Sequence, residues 1–385
     1  MPASTDTTAE LAIPTLDVRS LARRAVVPAA VAAVAVAALV IAGGPLQEFA
    51  KALGRALDAD PRWVGAAAVF ELLSFAGYVT VLWLVGSRAT TRLGFRASAQ
   101  ITLGGAAATR LLPTGGVGGA ALTIWAFRRA GLGTRGATRT LLAFLVVLYT
   151  VFLGSIAISG GAIALGISHA HGPLALSALP AAAAVAAMAA GLALAAFAKP
   201  FSTDAAATAP VTGARSLVAR VRAAAGVSPA ALGTGIRDAL ALVRSGDPRL
   251  LGALAWWGFD AAVLWSMLHA LGAPPSLAVV VLGYFVGQVA NTIPVPGAVS
   301  GGMVGVLLAF GVDPALALAA VLAYRSVAIW LPASVGLAAL NGLRRTTARW
   351  SAEDAPAETV AAPERRPAAR PLPLRPRSEA VGAAA

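Results

Sequence analysis

The chain has no cysteine and only three histidines among its 385 residues. The missing cysteines exclude disulfides, thiolate nucleophiles and cysteine-ligated metals together. Charge is also scarce: 12% of residues are charged, against about 25% in water-soluble domains. Acids are the scarcer sign, 17 against 30 Lys plus Arg, for a formal net charge of +13. No glycine-rich turn is followed by lysine in a Walker pattern, which argues against nucleotide phosphates. The basic residues are not interleaved with aromatics on a basic face, so nucleic acid is not the partner they imply. What abounds is apolar surface, 58% of residues being hydrophobic with a mean hydropathy of +0.77. Such a chain is solvated by lipid.

Runs long enough to cross a hydrocarbon core of roughly 30 Å recur at about 25–44, 62–86, 140–165, 174–198, 249–272 and 315–342. The first follows a long prefix ending in Arg19, Arg23 and Arg24 and is longer than a signal-peptide core, so it reads as a retained span. Two further apolar regions, 97–127 and 276–310, carry Pro and Gly at their centres. Broken backbone at membrane depth is tolerated only under a cover of protein or in a wet cavity. Both regions are therefore expected to be re-entrant helical hairpins.

The gaps holding Arg88, Arg92 and Arg96, and then Arg128, Arg129, Arg135 and Arg139, fall inside by the positive-inside rule, as does the basic segment 199–248. The turns near 169–173, 272–275 and 311–314 lack Lys and Arg and fall outside; the loop 45–61, with Lys51 and Arg55, fits less well. The expected class is an all-α integral membrane protein with about six transmembrane helices and two re-entrant hairpins. Both termini would be cytoplasmic, in a bacterial inner (plasma) membrane. A cytoplasmic tail, 1–24, precedes the membrane domain, 25–342. Segment 199–248 is expected to hold one or two short helices, with "GIRDALALVR" packed on the bundle as a lid. The tail 343–385, rich in Pro, Ala, Arg and Glu, is expected to be disordered and cytoplasmic.

The two broken regions can be laid side by side as an internal repeat, about 62–165 and 249–342. Pro113 matches Pro294, Gly115 falls near Gly297, Gly131 matches Gly311 and Ala137 matches Ala317. Each hairpin follows a span with one intramembrane acid, Glu71 or Asp260. The charge-derived topology sends these two spans in opposite directions, which makes the repeat inverted, as in alternating-access transporters. Breaking a helix frees backbone N–H groups at the start of the next half-helix, near Val117 and Ser300, where the macrodipole is positive. Glycine lets an anionic group approach that backbone.

The residues that carry this pattern also carry a likeness. "LLPTGGVGG" followed by "AFRRAGL", then "NTIPVPG" followed by "AFGVDPALALAAVLAYRSVAIWLPASVGL", resemble a flippase-like family. It is the YbhN-like family related to the transmembrane region of lysylphosphatidylglycerol synthase. The resemblance covers about residues 20–345 and implies paired re-entrant helices that move a lipid or lipid-linked headgroup between leaflets. Full-length synthases add a soluble aminoacyltransferase domain, so lysine transfer is not expected here. The chain departs from the family at Ala298, where a second glycine is usual, and at Met303, near a usual glutamate.

Charges within a bilayer cost at least ~2.5–3.5 kcal/mol each and default to function. Glu71, Arg110, Asp260 and Arg325 stand out. Either they form buried pairs, Glu71–Arg110 and Asp260–Arg325, that only fix packing, or the arginines bind phosphate while the acids hold them or accept protons. The candidate substrate-binding set is Arg110, Pro113, Gly115, Gly116, Gly118, Asn291, Pro294, Gly297 and Arg325. Tyr284 and Gln288 could donate to a headgroup or satisfy broken backbone. His169 and His171 read as an external turn, and Trp256, Trp257 and Trp265 as lipid-facing or packing aromatics. No catalytic set, metal site or cofactor is expected. The expected partners are membrane lipids with an anionic headgroup, either a phospholipid or a polyprenyl-linked glycan carrier, and a homo-oligomer stays open. The alternatives are a membrane transferase acting on a lipid phosphate, and a non-transporting subunit that docks a partner through 199–248.

Overall fold

The computed structural model describes residues 54, 58–111, 117–168, 170, 172–197, 228–272, 274–292 and 297–354, with the Arg110, Leu111, Val117 and Thr292 side chains left out. The first expected span, 25–44, and the histidine turn at 169 and 171 lie outside the described residues. What is described is all helical: α1 (Pro61–Ala89), α2 (Phe95–Leu111), α3 (Val117–Arg129), α4 (Thr134–Ala164), α5 (Leu174–Phe197), α6 (Pro229–Arg244), α7 (Leu251–Ala270), α8 (Leu277–Val289), α9 (Ala298–Ala309) and α10 (Pro314–Asp354). Short 3₁₀ turns at Pro248–Leu250 and Ala290–Thr292 open α7 and close α8. Five helices, α1, α4, α5, α7 with its leading turn, and α10, are long and apolar enough to cross a membrane.

Local chemistry sets several of the starts. Asp60 caps α1, its carboxylate accepting from the Arg62 N–H at 2.9 Å, with Pro61 at the first helical position where its missing N–H costs nothing. Ser228 caps α6 in the same way, ahead of Pro229. Gly297 holds a left-handed φ of 83° just before α9, a conformation that a side chain would strain.

The hairpins form as the breakers require. α2 folds back on α3, with Gly105 and Gly119 at the contact, and α8 folds back on α9, with Gly287 against Met303. The helices from the hairpins onward start at Phe95 and Leu277, Val117 and Ala298, and Thr134 and Pro314, so counterparts lie about 181 positions apart. Packing repeats the relation. α1 and α7 run antiparallel along their whole length, from Asp60 N–H donating to the Ala270 carbonyl at 3.1 Å, through Gly77 against Gly252, to Arg88 against Asp247. A Cβ on Gly77 would meet the Gly252 carbonyl oxygen at 2.5 Å, so only glycine allows this approach. Across the repeats, α2 lies antiparallel on α10 (Gly104 on Leu340, Gln100 on Gly342). Its mate α8 lies antiparallel on α4 (Leu282 on Gly160, Phe285 on Phe152). Two equivalent helices that pack antiparallel are the geometry of an inverted repeat.

Charge is segregated. At one end Arg88 and Arg249 meet Asp247, Arg139 meets Asp238, and Arg92 meets Asp354 at 2.6 Å. The Arg249 hydrogen bond, helped by Arg88, holds the Asp247 carboxyl well below the usual carboxylate range. At the other end the described charges are Asp58, Asp60, Arg62 and Asp313. α6 does lie on the bundle: Gly235 touches Leu142 of α4 and Arg237 donates to the Ala195 carbonyl of α5.

One boundary differs. The sequence places the end of the last span at 342 and disorder after it, yet α10 runs on to Asp354. The added turns are held by Gln100, which accepts from the Thr346 hydroxyl, by Arg129 on Ser351 and by Arg92 on Asp354.

Candidate functional site

Both hairpins and the helices around them enclose a cavity of about 340 Å³. α1 contributes Tyr78, α2 Thr102 and Thr109, α3 Thr123 and α4 Tyr149; the second repeat contributes Asp260, Gln288, Asn291, Tyr324 and Arg325. Among the described residues, Asp260 and Arg325 are the only Asp, Glu, Lys or Arg in this lining.

Asp260 is 2% exposed, deep in α7. An ionised carboxylate there needs donors. The Tyr284 hydroxyl of α8 donates to Oδ2 at 2.6 Å and the Tyr324 hydroxyl of α10 to Oδ1 at 3.2 Å. Gln288, one turn beyond Tyr284, donates from Nε2 to the Tyr324 hydroxyl at 3.3 Å. This cluster ties three helices of the second repeat together. It corrects the pairing expected between Asp260 and Arg325: the described partners of Asp260 are phenols, and Arg325 makes no ion pair among the described residues. Arg325 is half-buried on the cavity wall, which leaves its five N–H donors for an anion.

The other candidates divide. Asn291 lies in the 3₁₀ turn after α8 and also lines the cavity. Gly118 sits in the first turn of α3, and Gly297 just ahead of α9. Arg110 is in α2, but its side chain lies outside the described residues, as do Pro113, Gly115, Gly116 and Pro294. Glu71 is buried at 1% exposure in α1 but does not line the cavity. By the offset of the repeats its counterpart is Gly252, and that of Asp260 is Val79, so the two acids occupy non-equivalent places.

Some lining residues were missed from the sequence. Thr102 is buried, its hydroxyl has no partner among the described residues, and it faces a site that can use it. Trp256 and Trp257, read as lipid-facing or packing aromatics, are packing ones that also line the cavity: Trp256 stacks on Tyr78 at 4.2 Å, and Trp257 Nε1 donates to the Leu148 carbonyl at 2.8 Å. The chain has four tyrosines in all. Tyr78, Tyr149 and Tyr324 line this cavity, and Tyr284 bonds to Asp260. Tyrosine in membrane helices usually marks the interface belt; four that sit well inside their helices were a legible sign of a polar interior.

Residues 25–336 match the family model of the lysylphosphatidylglycerol synthase TM region. The chain belongs to this family. No curated protein matches the chain in sequence. The lysylphosphatidylglycerol synthase TM region is a multi-pass helical membrane unit, and its name ties the family to membrane lipid. The match spans both hairpins and every helix that lines the cavity, so the site lies wholly within the family's domain.

Proposed function

We propose that the protein moves an anionic lipid headgroup, of a phospholipid or a polyprenyl-linked carrier, between membrane leaflets. The headgroup sits in the cavity between the two hairpins while the acyl chains stay in lipid. One observation carries this: a hydroxyl-lined chamber with Arg325 on its wall lies inside a largely apolar bundle, at the seam of two antiparallel repeats. A buried charge with no ion pair is expensive in lipid and is kept where it meets a ligand. Arg325 would take the phosphate, with Thr102 and Asn291 as further hydrogen-bonding groups. The repeats would rock about the α1–α7 seam, whose glycine contact lets the two helices slide closely.

Against a transferase, the lining offers, among the described residues, one carboxylate and no second acid or histidine for acid–base work. Against a pure docking subunit, α6 is packed into the bundle by its buried face. The test is leaflet exchange in proteoliposomes with a panel of fluorescent lipids, anionic, zwitterionic and polyprenyl-linked. Wild type is expected to exchange anionic lipids, Arg325→Ala to lose about 100-fold, equivalent to ~2.7 kcal/mol at the rate-limiting step, and Leu145→Ala, at the matching place in the first repeat, to stay within a few-fold. Equal rates for Arg325→Ala and wild type would overturn the assignment.

A further inference from the structure

We propose that the headgroup taken by this cavity is a polyol, a glycerol or a single sugar joined to the phosphate, and that the threonines of the first hairpin read its hydroxyls. The inference rests on the lipid reading above and names the class of headgroup.

Helical spacing builds the wall. Thr102, Gly105 and Thr109 fall at i, i+3 and i+7 on one face of α2, and Gly119 and Thr123 at i and i+4 on α3; all line the cavity. Two of the hydroxyls lie opposite glycines across the seam. Thr109 Oγ1 packs on Gly119, and Thr123 Oγ1 lies 3.8 Å from the place of a Cβ on Gly105. The Thr123 O–H donates to the Gly119 carbonyl at 2.8 Å, which leaves its oxygen as an acceptor. Thr102 is 3% exposed and its hydroxyl has no hydrogen-bond partner among the described residues. Ser98, one turn earlier on the same face, is buried and unpartnered in the same way. Such a hydroxyl in an apolar bundle costs stability that valine, of the same shape, would not. Threonine on a helix has more than one χ1 well open to it, so the Thr102 hydroxyl reaches a ligand at the wall by one rotation.

The chemistry of the wall selects among phosphate-linked groups. A threonine hydroxyl both donates and accepts, as do the side-chain amides of Gln288 and Asn291 on the second hairpin. A quaternary ammonium offers such a wall neither donor nor acceptor, and a primary ammonium offers donors alone. A hydroxyl offers both. Glycerol and sugar hydroxyls therefore match the wall in either direction, while their C–H faces meet the rings of Tyr78, Tyr149 and Trp256. Size narrows the class. A cavity of about 340 Å³ is at the small end for ligand sites, which run from about 300 to 1,000 Å³. It takes a phosphorylated glycerol or monosaccharide and leaves no room for an oligosaccharide. Sites built to bond a hydroxyl reject the analogue that lacks it, because their own polar groups are then left unpaired.

The experiment uses the full-length protein in nanodiscs, calorimetry at pH 7 and two pairs of short-chain probes. Dihexanoyl-phosphatidylglycerol is set against dihexanoyl-phosphatidylpropanol, and citronellyl phosphoryl-glucose against citronellyl cyclohexyl phosphate. The members of a pair carry the same single negative charge and differ in hydroxyls, so charged groups around the cavity weigh on both alike. Wild type is expected to bind the hydroxylated member of at least one pair about tenfold more tightly, equivalent to ~1.4 kcal/mol. The pair that shows the preference tells glycerol from sugar. Thr102→Val should cut it to about threefold or less, with an unchanged or raised thermal midpoint, and Thr102→Ser should keep it. Thr123→Val, on the facing helix, should cut it too. Arg325→Ala should weaken both members and leave their ratio. Equal binding within both pairs by wild type, or a preference undiminished in both valine variants, overturns this inference and leaves the lipid reading standing. No binding of any probe, nor of any panel lipid, overturns both.

Discussion

The two repeats share one architecture and differ in chemistry. Each has a long helix, a broken hairpin and a second long helix, and each lays its hairpin on the other's last helix. The polar cluster belongs to one of them. Asp260, Tyr284, Tyr324 and Arg325 of the second repeat correspond to about Val79, Leu103, Phe144 and Leu145 of the first, all apolar. The first repeat gives the cavity hydroxyls and aromatic rings, Thr102, Thr109, Thr123, Tyr78 and Tyr149, and no described charge. Symmetry here fixes where the helices lie and leaves each wall free to specialise. One wall can hold charge because the other asks little of it.

The comparison breaks most severely if charge is placed on the apolar side. Val79→Asp puts a carboxyl at the counterpart of Asp260, at a buried position in α1 and without the two phenols that serve Asp260. An unserved carboxyl at membrane depth costs at least ~2.5–3.5 kcal/mol, and the close α1–α7 packing cannot yield to solvate it. The variant is expected to accumulate poorly in membranes and to unfold well below wild type in a fluorescence thermal scan. Wild-type yield and midpoint would mean that the two sides are equally polar inside.

A smaller change sharpens the same contrast. Tyr284→Phe keeps the ring among its neighbours and removes one donor from Asp260, with Tyr324 still in place. A buried hydrogen bond to a charged group carries about 1–3 kcal/mol. A loss of stability in that range is expected at pH 7, and Asp260→Asn made in the same background should recover part of it, because an amide needs its partner less than a carboxylate does. Additive losses in the double variant would mean that the phenol acts on something other than Asp260.

Sequence alone carried the architecture further than the site. Helix breakers in runs too apolar for loops marked both hairpins, and the Pro113–Pro294 and Gly131–Gly311 matches set the offset that the helix starts repeat. Asp260 and Arg325 were visible because charge in lipid is rare. Their relation was hidden. Asp260 finds its donors 24 and 64 residues away, on helices whose mutual rotation no periodicity in a uniformly apolar stretch reveals. Trp256 and Trp257 stayed open between lipid-facing and packing for the same reason: an aromatic pair on an all-apolar helix has no polar face to orient it. The far end of α10 was missed because "RRTTARWSAED" reads as a polar tail; its helix depends on partners in α2, α3 and the α1–α2 turn.

That extension is the mildest difference between the repeats. α4 and α10 start at matching places, but α4 stops at Ala164 while α10 continues about ten residues past the matching point. Only the first hairpin is thereby strapped at both its ends, by Asp354 on Arg92 before α2 and by Ser351 on Arg129 at the end of α3. The Arg92 hydrogen bond lowers the Asp354 carboxyl below its ordinary value. A carboxyl depressed by folding stabilises above the pH where the unfolded group titrates, near 3.9, and the contribution fades as pH falls below that. The pair is exposed and salt-screened, so its share is small beside the Thr346–Gln100 and Ser351–Arg129 contacts that remain. Asp354→Asn is expected to leave transport unchanged, lower the thermal midpoint at pH 7 slightly, and flatten the loss of stability that wild type shows between about pH 5 and 3. High salt should reproduce the effect in wild type and add little in the variant. A variant whose acid slope matches wild type would place the titrating group elsewhere among the arginine-paired acids, with Asp247 the next to test.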